Sequence, residues 1–440
     1  MGHYVPHTDE EIQSMLGFLG LSSTEELFSA VPEALRLAAG DLDLPPGLSE
    51  FETLDEMERL AGRNTPVGRD LVCFAGAGAY DHELPAAVKR LAFRSEFVTA
   101  YTPYQPEVAQ GVLQALFEYQ TLVARLSGVE VANASLYDGA TACVEAVNLA
   151  VASQGNRRVV VSQGVHPNWR AVMRTYAAGT GHELVEAPLV NGRTDWSPAA
   201  GPAGAVLVQY PNYLGAVEDL AAARAAADAA GALLLVAFDP VAAGLLRTPG
   251  SYGADVVVGE GQPFGTPLSF GGPYLGLFAC RMEHVRRLPG RLVGETVDVE
   301  GRRAYVTTLR TREQDIRREK ASSNVCTNQT LIAICCAIQL AWLGTGGLRE
   351  VALRSARAAR YARESLLAID GIEVHNDAPT FREFAVRTPI DPHTLVERMT
   401  DEGFLAGVPL EDGGLLVAAT ERRTRDEIDR YANAMEKVIR

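Results

Sequence analysis

Two hydrophobic patterns alternate between about residue 70 and residue 300. One is the short unbroken apolar run, at Arg158–Ser162, Ala205–Gln209, Ala232–Phe238 and Asp255–Val258. Lacking polar alternation, these runs predict strands buried on both faces of a mostly parallel sheet. The other repeats at helical spacing. From Glu107 to Leu126 the residues Val108, Leu113, Leu116, Leu122 and Val123 share one side, and Thr141–Ser153 and Val217–Ala230 read as further helices. Strands interleaved with helices predict an α/β domain covered on both faces.

The pattern changes at both ends. Residues 8–64 carry short helical stretches broken by Pro and Gly, with acidic helix starts at Thr8–Glu11 and Ser23–Glu26. They predict an N-terminal helical arm (residues 1–69) that wraps a partner or caps its own chain. After a large domain over 70–329, residues 330–440 predict a small α+β domain. Its elements are helices at Thr330–Trp342 and Leu348–Ile369 around a Gly-rich break, strands at Gly371–His375, Phe381–Val386 and Gly414–Ala418, and helices at Asp391–Glu402 and Arg425–Lys437.

Charge and composition narrow the function. A net charge of -15 repels nucleic acid and anionic membranes, which leaves small molecules and proteins as partners. The six cysteines are scattered, without metal-ligand spacing, so neither a metal site nor a disulfide framework is expected. The N-terminus lacks a basic segment followed by an apolar one, and no apolar run reaches the roughly 18 residues of a membrane span, so a cytoplasmic location is expected. Only three residues are lysine, Lys89, Lys320 and Lys437. A missing lysine is therefore easy to detect.

Candidate chemistry lies where strands end and helices begin. Asp138, Gly139, Ala140 and Thr141 open a helix and could cradle a phosphate, or Asp138 and Thr141 could simply cap it. His166 follows the strand at 158–162 and could stack on an aromatic ring; a structural histidine is the plainer alternative. Asp239 closes the strand at 232–238 and could pair with a protonated pyridine nitrogen, or form a turn before Pro240. Phosphate cradle, stacking His and pyridinium Asp, in this order, make the ground plan of fold-type-I pyridoxal-phosphate enzymes. That plan needs a lysine about twenty to thirty residues after the Asp, yet the interval from Asp255 through Gln262 to Tyr274 has none. Arginine cannot form the Schiff base because its guanidinium stays protonated.

Six strings then carry a resemblance: TAYTPYQPE (99–107), FEYQT (117–121), YDGATA (137–142), FGGPYLG (270–276), PGRLVG (289–294) and REQDIRREKASSNVCTNQ (312–329). They are similar to the N-terminal half of the glycine decarboxylase P-protein family, from about Tyr4 to beyond residue 430. The resemblance implies an aspartate-aminotransferase-like large domain and the separate alpha subunit of a two-subunit enzyme. It implies that pyridoxal phosphate is bound by a lysine of the beta subunit, and that this chain keeps a degenerate pocket at Asp138, Gly139, Ala140, Thr141, His166, Asp239 and Gln262. It further implies glycine as substrate of the complex, lipoylated H-protein as acceptor, and an alpha2beta2 assembly. Tyr101, Tyr104, Gln105, Arg312 and Arg317 are the candidate interface contributors. The competing reading is a regulatory or scaffolding subunit that kept the fold and lost the reaction.

Overall fold

Leu233–Phe238 is a strand whose six residues are all buried, and its side chains alternate between two cores. Leu234, Val236 and Phe238 enter one apolar cluster, and Leu233, Leu235 and Ala237 enter another. Such a run has no solvent face, so it must lie inside a sheet covered by helices on both sides. The computed structural model describes residues 6–37, 43–98 and 103–440.

The main sheet holds seven strands: β1 (Val131–Ala132), β2 (Arg158–Ser162), β3 (Glu183–Ala187), β4 (Ala205–Tyr210), β5 (Leu233–Phe238), β6 (Val256–Glu260) and β7 (Gly276–Cys280). Their spatial order is β1-β7-β6-β5-β4-β2-β3. Strands β3, β2, β4, β5 and β6 run parallel, and β7 turns back antiparallel to both β6 and β1. The four predicted strands are present. The edge strands β1 and β3 are additional because their mixed composition carries no unbroken apolar run, and the return strand β7, a buried apolar run that the sequence reading passed over, is additional as well.

Two short helices belong to a separate unit spanning residues 1–65: α1 (Asp9–Leu19) and α2 (Glu50–Ala61), each started by a reciprocal capping box, at Thr8/Glu11 and Ser49/Glu52. The start at Ser23 yields only a 3₁₀ turn over Thr24–Phe28. There Glu26 bonds back to Ser22 instead of to the expected cap. Within the described part of this unit, Leu16 is the sole buried large apolar side chain.

In the unit from Pro66 to Arg440, α3 (Gln110–Ser127) covers one face of the sheet, while α4 (Gly139–Gln154) and α5 (Pro167–Thr180) cover the other. Helix α6 (Leu220–Ala230) contributes to the same core as α3. The two helices expected at 330–342 and 348–369 form one bent rod, α7 (Thr330–Leu367), with Gly344 at φ 56° where the axis breaks. Its first half enters the main core through Ala333, Ile334, Cys336 and Leu340, and its second half enters a C-terminal core through Ala359, Ala362 and Leu366. Contrary to the sequence expectation, α7 is long and apolar enough to cross a bilayer by composition alone. Here it is the helix shared by two cores.

The C-terminal core lies between α7, α8 (Pro392–Asp401), α9 (Arg425–Ile439) and a four-stranded sheet containing Glu383–Arg387 and Gly414–Ala418. Val72 and Cys73, placed by sequence in the large domain, pair in parallel with Phe404 and Leu405 instead, and Phe74 stacks on Tyr431 at 4.0 Å. A two-residue strand shows no period, so the sequence pattern could not assign it.

Candidate functional site

The carboxyl ends of β4, β5 and β6 open into one cleft, lined by Tyr80, His166, Trp169, Asp239, Glu260, Arg382 and Glu383 among others. This is the edge at which ligands gather in open α/β sheets. Side chains of the chain itself occupy each position a cofactor would need.

At the start of α4, Asp138 accepts hydrogen bonds from Thr141 N (2.7 Å) and Thr141 Oγ1 (2.9 Å) while Thr141 Oγ1 accepts from Asp138 N (3.2 Å). The hydroxyl and carboxylate proposed for a phosphate cradle are thus spent on capping. The N–H of Gly139, which would face a phosphate, donates to Glu260 Oε2 at 3.0 Å. Glu260 Oε1 also accepts from Gln262 N and Leu275 N, both at 2.9 Å. A carboxyl group stands where the helix dipole favours an anion. A Cβ on Gly139 would lie 2.4 Å from the Trp169 ring, so the backbone there is pressed against an indole. Burial pushes Glu260 up to about 8, against these three N–H bonds.

His166 donates from Nε2 to the Ala77 carbonyl (2.8 Å) and accepts at Nδ1 from Asn168 N (3.1 Å), which fixes a neutral tautomer. Burial lowers its pKa further. Its ring stacks on Trp169 at 5.7 Å and meets Tyr213 edge-on at 4.8 Å. Asp239 pairs with Arg382 (2.7 Å), whose guanidinium lies 3.6 Å over the Tyr80 ring and also meets His82 Nε2. A cation already occupies the place of a protonated pyridine. His82 Nδ1 continues the chain to Glu421 at 2.6 Å.

Gln262, 1% exposed, stands in the interval where the lysine is missing. Its amide donates to the carbonyls of Tyr80 (3.1 Å) and Thr266 (3.0 Å) and accepts from Tyr80 N (3.0 Å), so it ties the 78–82 segment to the sheet edge. Lys89, Lys320 and Lys437 are exposed, and none lines the cleft. The cavity left is about 40 Å³. At about 10–15 Å³ per water on this measure, that holds a few waters and no pyridine ring. The residues present do not fit pyridoxal phosphate.

Of the expected residues, Asp138 and Thr141 serve the helix start, His166 and Asp239 line the cleft, and Gln262 bonds to the backbone of Tyr80, which lines it. Tyr101 lies outside the described residues. Tyr104 and Gln105 are exposed away from the cleft, with the Arg291 guanidinium 4.7 Å over the Tyr104 ring. Arg312 and Arg317 line a different cavity. Tyr80, His82, Trp169, Glu260, Arg382, Glu383 and Glu421 escaped the sequence reading. Glu260 alone had a signal, an acid ending an apolar strand. The one group of three potential metal ligands among the described residues is Asp255, Glu283 and His284, and Asp255 is already held by Arg224 (2.8 Å) and Arg281 (3.3 Å).

The buried carboxyls make stability depend on pH. Glu383 accepts from Ala77 N (2.6 Å) and Tyr80 Oη (2.8 Å), and burial pushes it up to about 7. The folded chain therefore holds this proton longer than the unfolded one does. The associated stability is full below about pH 4.5 and is lost as pH rises through about 7. Glu383→Gln should remove about 3 kcal/mol of the decline between pH 5 and pH 8.5. Denaturation midpoints at both pH values check this; an unchanged decline in the variant contradicts it.

The sequence profile described as "Glycine cleavage system P-protein" matches residues 2–435. The chain is 48% identical to the probable glycine dehydrogenase (decarboxylating) subunit 1 of Moorella thermoacetica, over 99% of each chain. It is 46% identical to the protein of the same name from Desulforamulus reducens, over 98% of each. A crystal structure of glycine decarboxylase (P-protein) of the glycine cleavage system, in inhibitor-bound form, superposes with a TM-score of 0.94 at 48% identity, covering 99% of this chain and 100% of that one. A sphingosine-1-phosphate lyase from Burkholderia pseudomallei, at 18% identity and TM-score 0.62 over 93% of this chain and 94% of its own, shares the fold. The chain belongs to the glycine cleavage system P-protein family.

Proposed function

We propose that this chain is the alpha subunit of a two-subunit glycine decarboxylase, active only together with its beta subunit. The observation that carries this reading is the cleft itself. It stands at the ligand edge of a pyridoxal-phosphate-enzyme fold, lacks an amine, and is closed by Arg382 against Asp239 and Glu260 against Gly139. In this proposal the cofactor sits on a lysine of the beta subunit, where it supplies an electron sink for loss of the glycine carboxylate as CO2. The aminomethyl group then passes to the lipoyl arm of H-protein. The alpha chain supplies a rigid wall to an alpha2beta2 assembly in the cytoplasm.

Support for an obligate partner comes from residues 6–37 and 43–65, whose large apolar side chains are, Leu16 apart, mostly exposed. Phe18 is 91% exposed and Phe51 73% exposed. Exposed apolar surface on this scale marks a docking face.

The test is glycine–CO2 exchange with added H-protein, measured for this chain, for the beta subunit and for the mixture, with borohydride trapping of pyridoxal phosphate on each chain. Exchange in the mixture alone, with cofactor trapped on the beta chain, is the expected result. Trapping on Lys89 or Lys320 overturns it, and full exchange by the beta subunit alone leaves this chain a scaffold.

A further inference from the structure

Four cations converge on a second cavity, remote in function from the closed cleft. Arg286, Arg312, Arg317 and Lys320 line a space of about 280 Å³, together with the hydroxyl-bearing Thr311 and Ser322. Among the described residues none of the four makes an ion pair, whereas the neighbouring Arg310 is paired with Asp315 at 2.7 Å. Four unpaired positive charges around one concavity repel one another, and in a chain of net charge -15 such a cluster runs against the overall balance.

Arg312 is the most enclosed of them. Its Nη1 donates to the Leu288 carbonyl, while Nε and Nη2 are buried without a partner. Burial pulls its pKa down, opposed by the charge of Glu313. That carboxyl is not within ion-pair distance and is itself pushed up by burial. Buried donors left unsatisfied are costly, and an anion in the cavity would give this guanidinium a partner once its side chain turns toward it, since a guanidinium fork matches the oxygens of a phosphate. Arg317 Nε donates to the Thr311 carbonyl at 3.0 Å, which fixes that side chain against the rim. The loop is held by left-handed backbone at Leu309 (φ 53°) and Arg318 (φ 54°), conformations that non-glycine residues adopt at a cost.

We propose that this cavity binds a small dianionic oxyanion, of the class of inorganic phosphate or a phosphate monoester. The enclosure of Arg312 favours a solute over the flat face of an acidic protein, and the volume exceeds that of a bare phosphate, leaving room for the organic part of a monoester.

The experiment is isothermal titration of inorganic phosphate into the full chain, alone and in its assembly with the beta subunit, in buffer free of other oxyanions. One saturable site per chain is expected in both states, weakening as chloride is raised. Arg312→Gln should weaken it at least tenfold, and the exposed Lys320→Gln about threefold, a variant that reads out even if Arg312→Gln fails to fold. Arg354→Gln/Arg357→Gln, on a different arginine-lined groove, should bind as the parent does. No saturable binding, or unchanged binding in Lys320→Gln, overturns the proposal. So does binding lost on assembly, since a group of the partner would then fill the cavity.

Discussion

Arg382→Leu is expected to destabilise the folded chain by about 3–5 kcal/mol, the cost of leaving one member of a buried ion pair without its partner. The Arg382 side chain is 3% exposed and that of Asp239 14%, and they meet at 2.7 Å. The substitution also removes the cation from the face of Tyr80 and the donor from His82. What remains is Asp239, held by Val241 N at 2.9 Å but with no countercharge, close to the buried Glu383. Asp239→Asn in the same background should recover part of the loss, because removing both charges avoids the uncompensated one. Urea midpoints of the single and double variants decide the matter. A single variant within about 1 kcal/mol of the parent would falsify the view that Arg382 replaces the cofactor's cation in this cleft.

Removal of residues 1–65 is expected to abolish association with the beta subunit while leaving residues 66–440 folded. Helices α1 and α2 are well capped, but isolated helices of 11 and 12 residues are marginal in water. Phe51, Leu54 and Met57 are spaced along one side of α2, at 73%, 57% and 56% exposure, and Leu35 is 75% exposed. Side chains so arranged need a surface to cover them, and in the proposed assembly the beta subunit supplies it. The five apolar clusters draw on residues 72 onward, so the truncated chain keeps the cores described above. Co-purification of the truncated chain with the beta subunit, followed by size exclusion, gives the answer. A truncated chain that still elutes in the complex shows that the binding surface lies elsewhere.

Sequence alone determined whatever depends on neighbours along the chain. Leu233–Phe238 had to be a doubly buried strand because its apolar run leaves no face for water. Asp138 and Thr141 could be read as a helix start because capping is settled within four residues. The missing lysine was legible with no structure at all, since absence of a residue type over an interval is a property of the sequence. Tertiary structure alone decided how the vacated positions were filled. Gln262 bonds to Tyr80, 182 residues earlier, and Glu383 accepts from Ala77, 306 residues away. Neither Arg382 nor Tyr80 sits in a pattern that announces the other. Val72–Cys73 pairs with Phe404–Leu405 in a separate two-stranded sheet for a similar reason, as two strand residues have no period to read. Local periodicity records which face of an element meets water, but pairings between distant segments are set by how the packed layers close, and it is those pairings that sealed this cleft.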